Sequence, residues 1–260
     1  MNAPGSIAGA LAAGKGLRLM THVVAGYPDP TESERLVATM AAQGADFIEL
    51  QIPFSDPMAD GPTIMMANQA ALDAGVSVQD AFDLMGRLSP AVKVPLLFMT
   101  YLNVPWRMGV GRFVERARER GAKGIILPDL PFDEDLPEYV ERCHALGVDP
   151  IFVVSPDTPT DRLARIGKLG RGFIYATLKI GITGGVAGPS EKGLSFLKAL
   201  RQLVPLPIAA GFGISGPEAI RQVRGLCDIA VVGSQLIREH QRGGVAAVGA
   251  FVRSLKEACA

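Results

Sequence analysis

Gly44-Ala45-Asp46-Phe47-Ile48-Glu49-Leu50-Gln51-Ile52 is the stretch of this sequence that decides its fold. A glycine follows a segment of helical period, and a short apolar run begins soon after it, as happens where a helix ends and a buried strand begins. The stretch Gly121-Ala122-Lys123-Gly124 repeats the same junction. We therefore expect units of a strand followed by a helix to repeat along the chain.

Eight short apolar runs, bounded by Gly, Pro or Asp, predict eight strands. They cover residues 19–25, 47–52, 95–101, 124–127, 150–154, 172–177, 207–210 and 228–232. Segments of helical period lie between them, and several begin at an Asp, Ser or Thr cap. These predicted helices cover residues 30–43, 110–120, 134–146, 160–169, 191–203, 217–223 and 245–258, and one more begins at Pro62.

This alternation predicts an α/β fold, a closed (β/α)8 TIM barrel, because right-handed crossovers repeated eight times close a parallel sheet on itself. Such a barrel has roughly 250 residues, and this chain has 260. An open doubly wound sheet would carry a glycine-rich dinucleotide turn after its first strand, and no GxGxxG follows residue 25 directly. With no break in composition, residues 1–260 are predicted to be a single domain with a short N-terminal helix.

Charge and cysteine content narrow the function classes. Lys and Arg together number 26, and so do Asp and Glu, so the chain has no bulk attraction for nucleic acid or an anionic membrane. Cys143, Cys227 and Cys259 have neither metal-ligand spacing nor an even number for a disulfide framework. We expect a cytoplasmic protein without a signal peptide or membrane span.

Glu49 is the first candidate for chemistry. Strand alternation puts it on the same face as Phe47 and Gln51, the face that would point into a barrel, where an unpaired carboxylate costs several kcal/mol to desolvate. A structural carboxylate that hydrogen-bonds to the barrel wall is the alternative to a catalytic one.

The loop after this strand supplies a second acid, Asp60, between Pro53, Pro57 and Pro62. The prolines stiffen the loop, which suits a segment that holds a carboxylate over the barrel mouth. Asp60 could equally cap the helix that begins at Pro62.

Glycines after the last strands are candidates for phosphate binding. Gly213 follows the seventh strand, and Gly233 and Ser234 follow the eighth, where barrels often hold a phosphate with backbone N–H groups and a helix start. Gly184, after the sixth strand, could add another N–H. Each glycine alone is equally consistent with an ordinary turn.

The sequence from Glu49 to Ile64, ELQIPFSDPMADGPTI, resembles the signature of the tryptophan synthase alpha family. Further motifs match that family in order and spacing along nearly the whole chain. They are Gly26-Tyr27-Pro28, Met99-Thr100-Tyr101-Leu102-Asn103, Pro128-Asp129-Leu130-Pro131, Gly172-Phe173-Ile174-Tyr175, Gly181-Ile182-Thr183-Gly184, Gly211-Phe212-Gly213-Ile214-Ser215 and Gly233-Ser234.

The resemblance implies a carbon–carbon lyase of L-tryptophan biosynthesis, which cleaves indole-3-glycerol phosphate to indole and glyceraldehyde 3-phosphate by a retro-aldol reaction. It implies that Glu49 acts as acid and then as base, and that Asp60 accepts the indole N–H and stabilises the positive ring. Tyr175 is implied as a supporting residue near Glu49, although a buried tyrosine with a structural hydrogen bond is as good a reading. No cofactor or metal is implied for this chain.

The indole slot is implied to include Tyr101, Phe212, Ile64 and Val153, each of which could instead be barrel core. The glycine-rich segment 179–193 is expected to be a mobile lid, with Thr183 linking it to the Asp60 loop. Three positions depart from the family pattern. Lys179 stands where Arg is expected, His22 where an apolar aromatic residue is common in the slot, and Gln51 where a small residue is common.

The resemblance also implies a partner, a beta subunit that contains pyridoxal phosphate, in an α2β2 heterotetramer. The Asp56 loop and the segment 99–106, with Pro105 and the single tryptophan Trp106, are the expected docking region. Three other readings stay open. They are a free-standing indole-releasing lyase, another phosphate-binding barrel enzyme such as a phosphosugar isomerase or an indole-glycerol phosphate synthase, and a non-enzymatic activator of the beta subunit.

Overall fold

The computed structural model describes residues 6–13, 16–130, 137–178 and 188–260. Its centre is a closed barrel of eight parallel strands in sequence order, in which the first strand pairs with the second and the eighth. The strands are β1 (Arg18–Val24), β2 (Phe47–Gln51), β3 (Leu96–Met99), β4 (Gly124–Leu127), β5 (Asp149–Val154), β6 (Ile174–Thr177), β7 (Ile208–Gly211) and β8 (Ile229–Val232). The predicted TIM barrel is confirmed.

Helices on the outside of the barrel connect successive strands, as right-handed crossovers require; one further helix precedes β1 and another follows β8. They are α1 (Ile7–Ala12), α2 (Pro30–Ala42), α3 (Pro62–Asp73), α4 (Val78–Ala91), α5 (Asn103–Met108), α6 (Val110–Glu119), α7 (Pro137–Leu146), α8 (Thr160–Leu169), α9 (Glu191–Leu203), α10 (Pro217–Val223) and α11 (Ser234–Cys259).

Two of these helices, α4 and α5, have no counterpart among the predicted segments. The signal for α4 is present in the sequence: Ser77 and Asp80 form a capping box, in which each side chain bonds the other residue's backbone N–H. The last helix begins earlier than the predicted segment 245–258, because α11 runs from Ser234 and is broken by non-helical backbone at Gly243 and Gly244. Residues 134–136 of another predicted helix lie outside the described residues.

Side chains of β2 alternate between the two faces of the barrel wall, because a strand has a period of two. Phe47 belongs to the cluster inside the barrel, whereas Ile48 and Leu50 pack outwards against the helices. Glu49 shares the inner face with Phe47, and in register it lies between His22 of β1 and Leu97 of β3. The strand period therefore brings a carboxyl group into the barrel interior.

The barrel is closed with apolar side chains at the end where its strands begin. Ile7 of α1 is buried in the interior cluster together with Phe47 and Phe173. Gly124, the first residue of β4, leaves room for it, since a Cβ at that position would lie 3.1 Å from Ile7 Cδ1. Among the described residues, no helix is long and apolar enough to span a membrane.

We predict that Ile7→Ala destabilises the protein, because it leaves a cavity at the closed end of the barrel, where Ile7 is only 1% exposed. The expected loss is about 2–5 kcal/mol of unfolding free energy, measured by urea denaturation. Leu203→Ala is the control: this leucine at the end of α9 is 44% exposed. Equal losses in the two variants would show that α1 does not contribute to the core.

Candidate active site

A cavity with an empty volume of about 610 Å³ opens at the end of the barrel where the strands finish. Three buried polar groups from β1, β2 and the following loop line it, namely His22, Glu49 and Asp60. This is the end at which barrel enzymes place their chemistry, because the loops after the strands converge there.

Glu49 is held by one oxygen only. Its Oε1 lies 2.8 Å from Nδ1 of His22, the neighbouring inward residue on β1. Its Oε2 is buried and has no hydrogen-bond partner among the residues that the structure describes. An unpaired buried oxygen on a cavity wall is costly unless a ligand meets it. Oε2 is therefore the atom of Glu49 best placed to act on a bound molecule.

Asp60 is fixed by two side-chain donors that meet at one oxygen. Gln51 Nε2 donates to Asp60 Oδ2 over 2.8 Å, and the Tyr101 hydroxyl donates to the same oxygen over 3.0 Å. Burial raises the pKa of Asp60, although both hydrogen bonds and the charge of His22 act in the opposite direction. Since both bonds end on Oδ2, Oδ1 is the oxygen that remains for a ligand donor.

The reading of Asp60 as a helix cap does not hold. The helix α3 begins at Pro62 and its N-cap is Gly61, which has no side chain to cap with. Asp60 lies one residue earlier and turns its carboxyl group towards β2 and β3 instead.

Tyr101 organises the loop that carries Asp60. Its hydroxyl accepts the backbone N–H of Ala59 over 3.1 Å while it donates to Asp60, and its ring stacks on Phe54 with 5.3 Å between centroids. Burial and the adjacent Asp60 raise the pKa of Tyr101 far above its usual value, so the hydroxyl keeps its proton. Tyr101 thus lies behind Asp60, and it is not among the residues that line the cavity.

Tyr175 faces the two carboxyl groups from the other side of the barrel. It is buried near the end of β6, and burial together with the charges of Glu49 and Asp60 raises its pKa well above the usual value. Gly211 of β7 makes room for it, since a Cβ there would lie 2.6 Å from the Tyr175 hydroxyl. Its ring meets Phe212 edge-on, with 6.3 Å between centroids.

One corner of the cavity is formed by the loops after β7 and β8. Gly213 and Ile214 after β7 and Gly233 and Ser234 after β8 line it. Ser234 is the first residue of α11, so the start of a helix, with its positive dipole end, lies at this corner. Gly213 has a φ of +125°, which favours glycine. The corner has the chemistry of an anion site.

Apolar side chains complete the wall between these two regions. Ile64 from α3, Val153 from β5 and Phe212 from the loop after β7 all line the cavity. Phe212 has a φ of +63°, which within the described part of the chain no other non-glycine residue shows as a positive value. Such backbone strain costs about 1–3 kcal/mol and is concentrated at functional sites.

The sequence model of one protein family, described as Tryptophan synthase alpha chain, matches residues 10–258. This chain belongs to the tryptophan synthase alpha chain family. The family's member from Syntrophotalea carbinolica is 45% identical over 242 residues, which are 93% of this chain and 95% of the relative. The member from Desulforapulum autotrophicum is 41% identical over 241 residues, with the same coverage of 93% and 95%. A structure of Mycobacterium tuberculosis tryptophan synthase superposes with a TM-score of 0.90 at 26% identity and covers 99% of both chains.

Most residues predicted from the tryptophan synthase alpha signature line this one cavity. They are Glu49, Asp60, Ile64, Val153, Tyr175, Phe212, Gly213, Gly233 and Ser234. Tyr101 supports Asp60 from behind, and Thr183, Gly184 and Lys179 lie outside the described residues. Gln51 lies in the surroundings of Glu49, as expected: it donates to Asp60 and interacts with His22, the partner of Glu49.

Several wall residues of this tryptophan synthase alpha family member were not assigned to the site from the sequence, although Met99, Pro128 and Ile214 stand in the family motifs. All of them lie on a strand or in the loop after it, where residues line the mouth of a barrel. They are Met99, Ile126, Pro128, Ile214 and Val231. In the described part of the chain, no group of three His, Cys, Asp or Glu side chains is placed to hold a metal ion.

We predict that Tyr101→Phe destabilises this tryptophan synthase alpha chain by about 1–3 kcal/mol, because the Ala59 N–H loses its acceptor and Asp60 loses a donor. Thermal or urea unfolding measures the loss. Tyr27→Phe is the matched control, since that hydroxyl accepts only a surface bond from Gln241 over 3.3 Å, and its cost should stay within about 0.5 kcal/mol. If Tyr101→Phe were as mild as the control, the hydroxyl would not hold the Asp60 loop.

Proposed function

We propose that Glu49 and Asp60 are the two catalytic carboxyl groups with which this chain cleaves indole-3-glycerol phosphate to indole and glyceraldehyde 3-phosphate. That cleavage is the alpha reaction of tryptophan synthase, a carbon–carbon lyase reaction of tryptophan biosynthesis. The observation that carries the assignment is that both carboxyl groups line one cavity whose wall also includes the start of α11.

Glu49 would carry both proton movements of the retro-aldol cleavage. In the first step the protonated carboxyl group gives its proton to the indole carbon that bears the side chain. In the second step the resulting carboxylate takes the proton of the side-chain hydroxyl while the carbon–carbon bond breaks and the aldehyde forms. Glu49 ends in its starting form. The unpartnered Oε2 supports this role, because one oxygen without a protein partner must reach both atoms in turn.

Asp60 would stabilise the ring cation that exists between these two steps. Its Oδ1 would accept the indole N–H, while Gln51 and Tyr101 hold Oδ2. Burial makes the ionised form of Asp60 costly in the empty site. A positive charge that develops on the ring favours that form, so the interaction is stronger in the transition state than in the ground state. Tyr175, opposite both acids, would support Glu49.

The phosphate of the substrate would bind at the backbone corner formed by Gly213, Gly233 and Ser234. Free N–H groups at the start of α11 and the field of the helix favour an anion there. Gly184 belongs to the same proposed set, as the family motif implies, and lies outside the described residues.

The indole ring would lie between Phe212, Ile64 and Val153, which line the cavity between the acids and the phosphate corner. Tyr101 contributes to this slot through its hold on Asp60. Thr183, from the proposed lid, would complete the enclosure.

No cofactor is proposed for this chain, because Glu49 accounts for both proton transfers and Asp60 for the charge of the ring; pyridoxal phosphate is assigned to the partner beta subunit. We place the protein in the cytoplasm, since Cys143, Cys227 and Cys259 are unpaired thiols in the structure.

We propose that the beta subunit of tryptophan synthase docks over the mouth of the barrel to form the α2β2 assembly. Met58 in the Asp60 loop is 83% exposed and Trp106 in α5 is 66% exposed, which is unusual for such large apolar side chains. The Tyr101–Ala59 hydrogen bond ties the two segments together. An exposed apolar surface beside the cavity suits a partner that receives indole directly.

We predict that Glu49→Gln lowers indole release by about 10²–10⁴-fold, because the amide can neither donate nor accept the transferred proton. Asp60→Asn should lower it by about 10²–10³-fold, since a neutral amide cannot stabilise the ring cation. Indole is measured after indole-3-glycerol phosphate is added to the purified chain, with a beta subunit present and absent.

The controls for this assay are Glu218→Gln on α10 and Asp73→Asn on α3, both exposed carboxyl groups. Both should retain wild-type rates, and all four variants should unfold at similar temperatures. Full activity in Glu49→Gln would remove that residue from the mechanism. No indole from wild-type protein, with or without a beta subunit, would contradict the function itself.

We predict that Trp106→Ala weakens binding of the beta subunit by roughly 30-fold, the effect of an interface anchor worth about 2 kcal/mol. Sedimentation or calorimetry of the mixed subunits gives the affinity. Leu169→Ala at the end of α8, where the side chain is 39% exposed at the opposite end of the barrel, is the matched control and should bind normally. Unchanged affinity in Trp106→Ala would move the docking surface elsewhere.

A further inference from the structure

The side chain that touches Glu49 is itself titratable. His22 is buried on β1, lines the cavity, and places Nδ1 2.8 Å from Glu49 Oε1. Neither Oε2 of Glu49 nor Nε2 of His22 has a hydrogen-bond partner of normal geometry in the described part of the chain. We propose that His22 is a positioning residue for Glu49: its Nδ1–H holds Oε1, turns Oε2 into the cavity, and the two side chains share one proton.

The polar groups around His22 come from four elements. Glu49 faces it from β2 and Asp60 from the following loop, and both carboxyl groups act on its ring. Tyr175 of β6 faces the same two acids. From α11, Ser234 lines the cavity and accepts Arg238 Nη2 over 3.4 Å, so this cation is bound to the helix start. The charged groups that act directly on His22 are therefore both anionic.

Gln51 connects His22 to the second acid. Because a carboxylate only accepts, the amide nitrogen of Gln51 must be the end that faces Asp60, as the 2.8 Å hydrogen bond shows. The amide oxygen then points away from Asp60, and its interaction with the ring favours protonated His22. Asp60 thereby sets the orientation of a group that stabilises the shared proton.

The interactions of Glu49, Asp60 and Gln51 with the ring of His22 outweigh the cost of burying a charged imidazole. Burial lowers the pKa of His22, but the hydrogen bond and charge of Glu49, the charge of Asp60 and the amide of Gln51 together raise it above 6.5. The imidazole of His22 therefore holds its proton to higher pH than a free imidazole does. A histidine that only filled space in this interior would have its pKa lowered.

The role of His22 in turnover rests on the proposed function. The first step starts from the form of the pair in which the shared proton is on Oε2 of Glu49 and His22 is neutral. When Oε2 gives this proton to the ring carbon, Glu49 becomes a carboxylate, and the Nδ1–H bond to Oε1 stabilises that charge. When the hydroxyl proton returns to Oε2, the pair regains its original proton count. The proton moves only between Glu49 and substrate, and His22 remains bonded throughout.

The titration of His22 tests the pair without reference to activity. The chain has three histidines, so ¹⁵N-histidine labelling yields three imidazoles. We expect His22 to titrate above 6.5 in the wild type. In Glu49→Gln the pKa of His22 should fall by about one unit or more, because burial still lowers it while the charge of Glu49, which raises it, is gone. His144 and His240 are internal controls and should not move. Titration below 6.5 in the wild type, or no change in Glu49→Gln, would overturn the proposal.

The pH profile of indole release tests the role in turnover. The amide in His22→Asn can donate a hydrogen bond from the position of Nδ1, but it cannot take up a proton as imidazole does. The alkaline limb of kcat should therefore move to lower pH, by on the order of one unit. In His22→Phe it should move the other way, because a buried carboxyl group with no donor beside it keeps its proton to higher pH.

The outcomes separate the two proposals. If both variants kept wild-type activity and the limbs of their pH profiles did not move, His22 would contribute packing alone. This result would overturn the inference, while the function of Glu49 stands. A wild type that releases no indole would remove the function, while the imidazole titration still reports on the pair.

Discussion

The structure depends on the burial of two carboxyl groups inside a barrel whose remaining interior is apolar. Removing a carboxylate from water costs several kcal/mol unless donors replace the water. Here each acid receives its donors from adjacent elements: His22 of β1 for Glu49, and Gln51 of β2 with Tyr101 after β3 for Asp60. Each donor ends on a single oxygen. The second oxygen of each acid is left for the substrate, so the same contacts that stabilise the acids also orient them.

This requirement explains the division of the barrel into two ends. At the end where the strands begin, Ile7, Phe47 and Phe173 fill the interior with apolar contacts and need no polar partners. At the other end, the polar residues, the strained Phe212 and the open helix start of α11 are gathered around one cavity. Rigid strands and a well-packed closed end fix the positions of the acids to the accuracy that proton transfer demands.

Sequence periodicity predicted the barrel because its signals are local. Alternation alone placed Glu49 inside, and β4, α8, α9 and α10 have the bounds that were expected. The partners of the acids were not predictable in this way. Which side chain meets Glu49 depends on the register between β1 and β2, and the hold of Tyr101 on Asp60 spans 41 residues. Such contacts are set by tertiary packing. For the same reason α5, a short helix in the expected docking region, was not predicted.

The charges inside the barrel determine which charge on a bound molecule the cavity favours. A pair that shares one proton is neutral in sum, and Asp60 is the group whose ionisation is penalised by burial. In the proposed mechanism, a substrate whose ring becomes positive relieves that penalty, and its phosphate binds at the helix start. Because every proton in the proposed cycle moves between Glu49 and substrate, the net charge of the site does not change during turnover. A low-dielectric cavity can therefore carry out acid and base steps in succession without exchanging a proton with water.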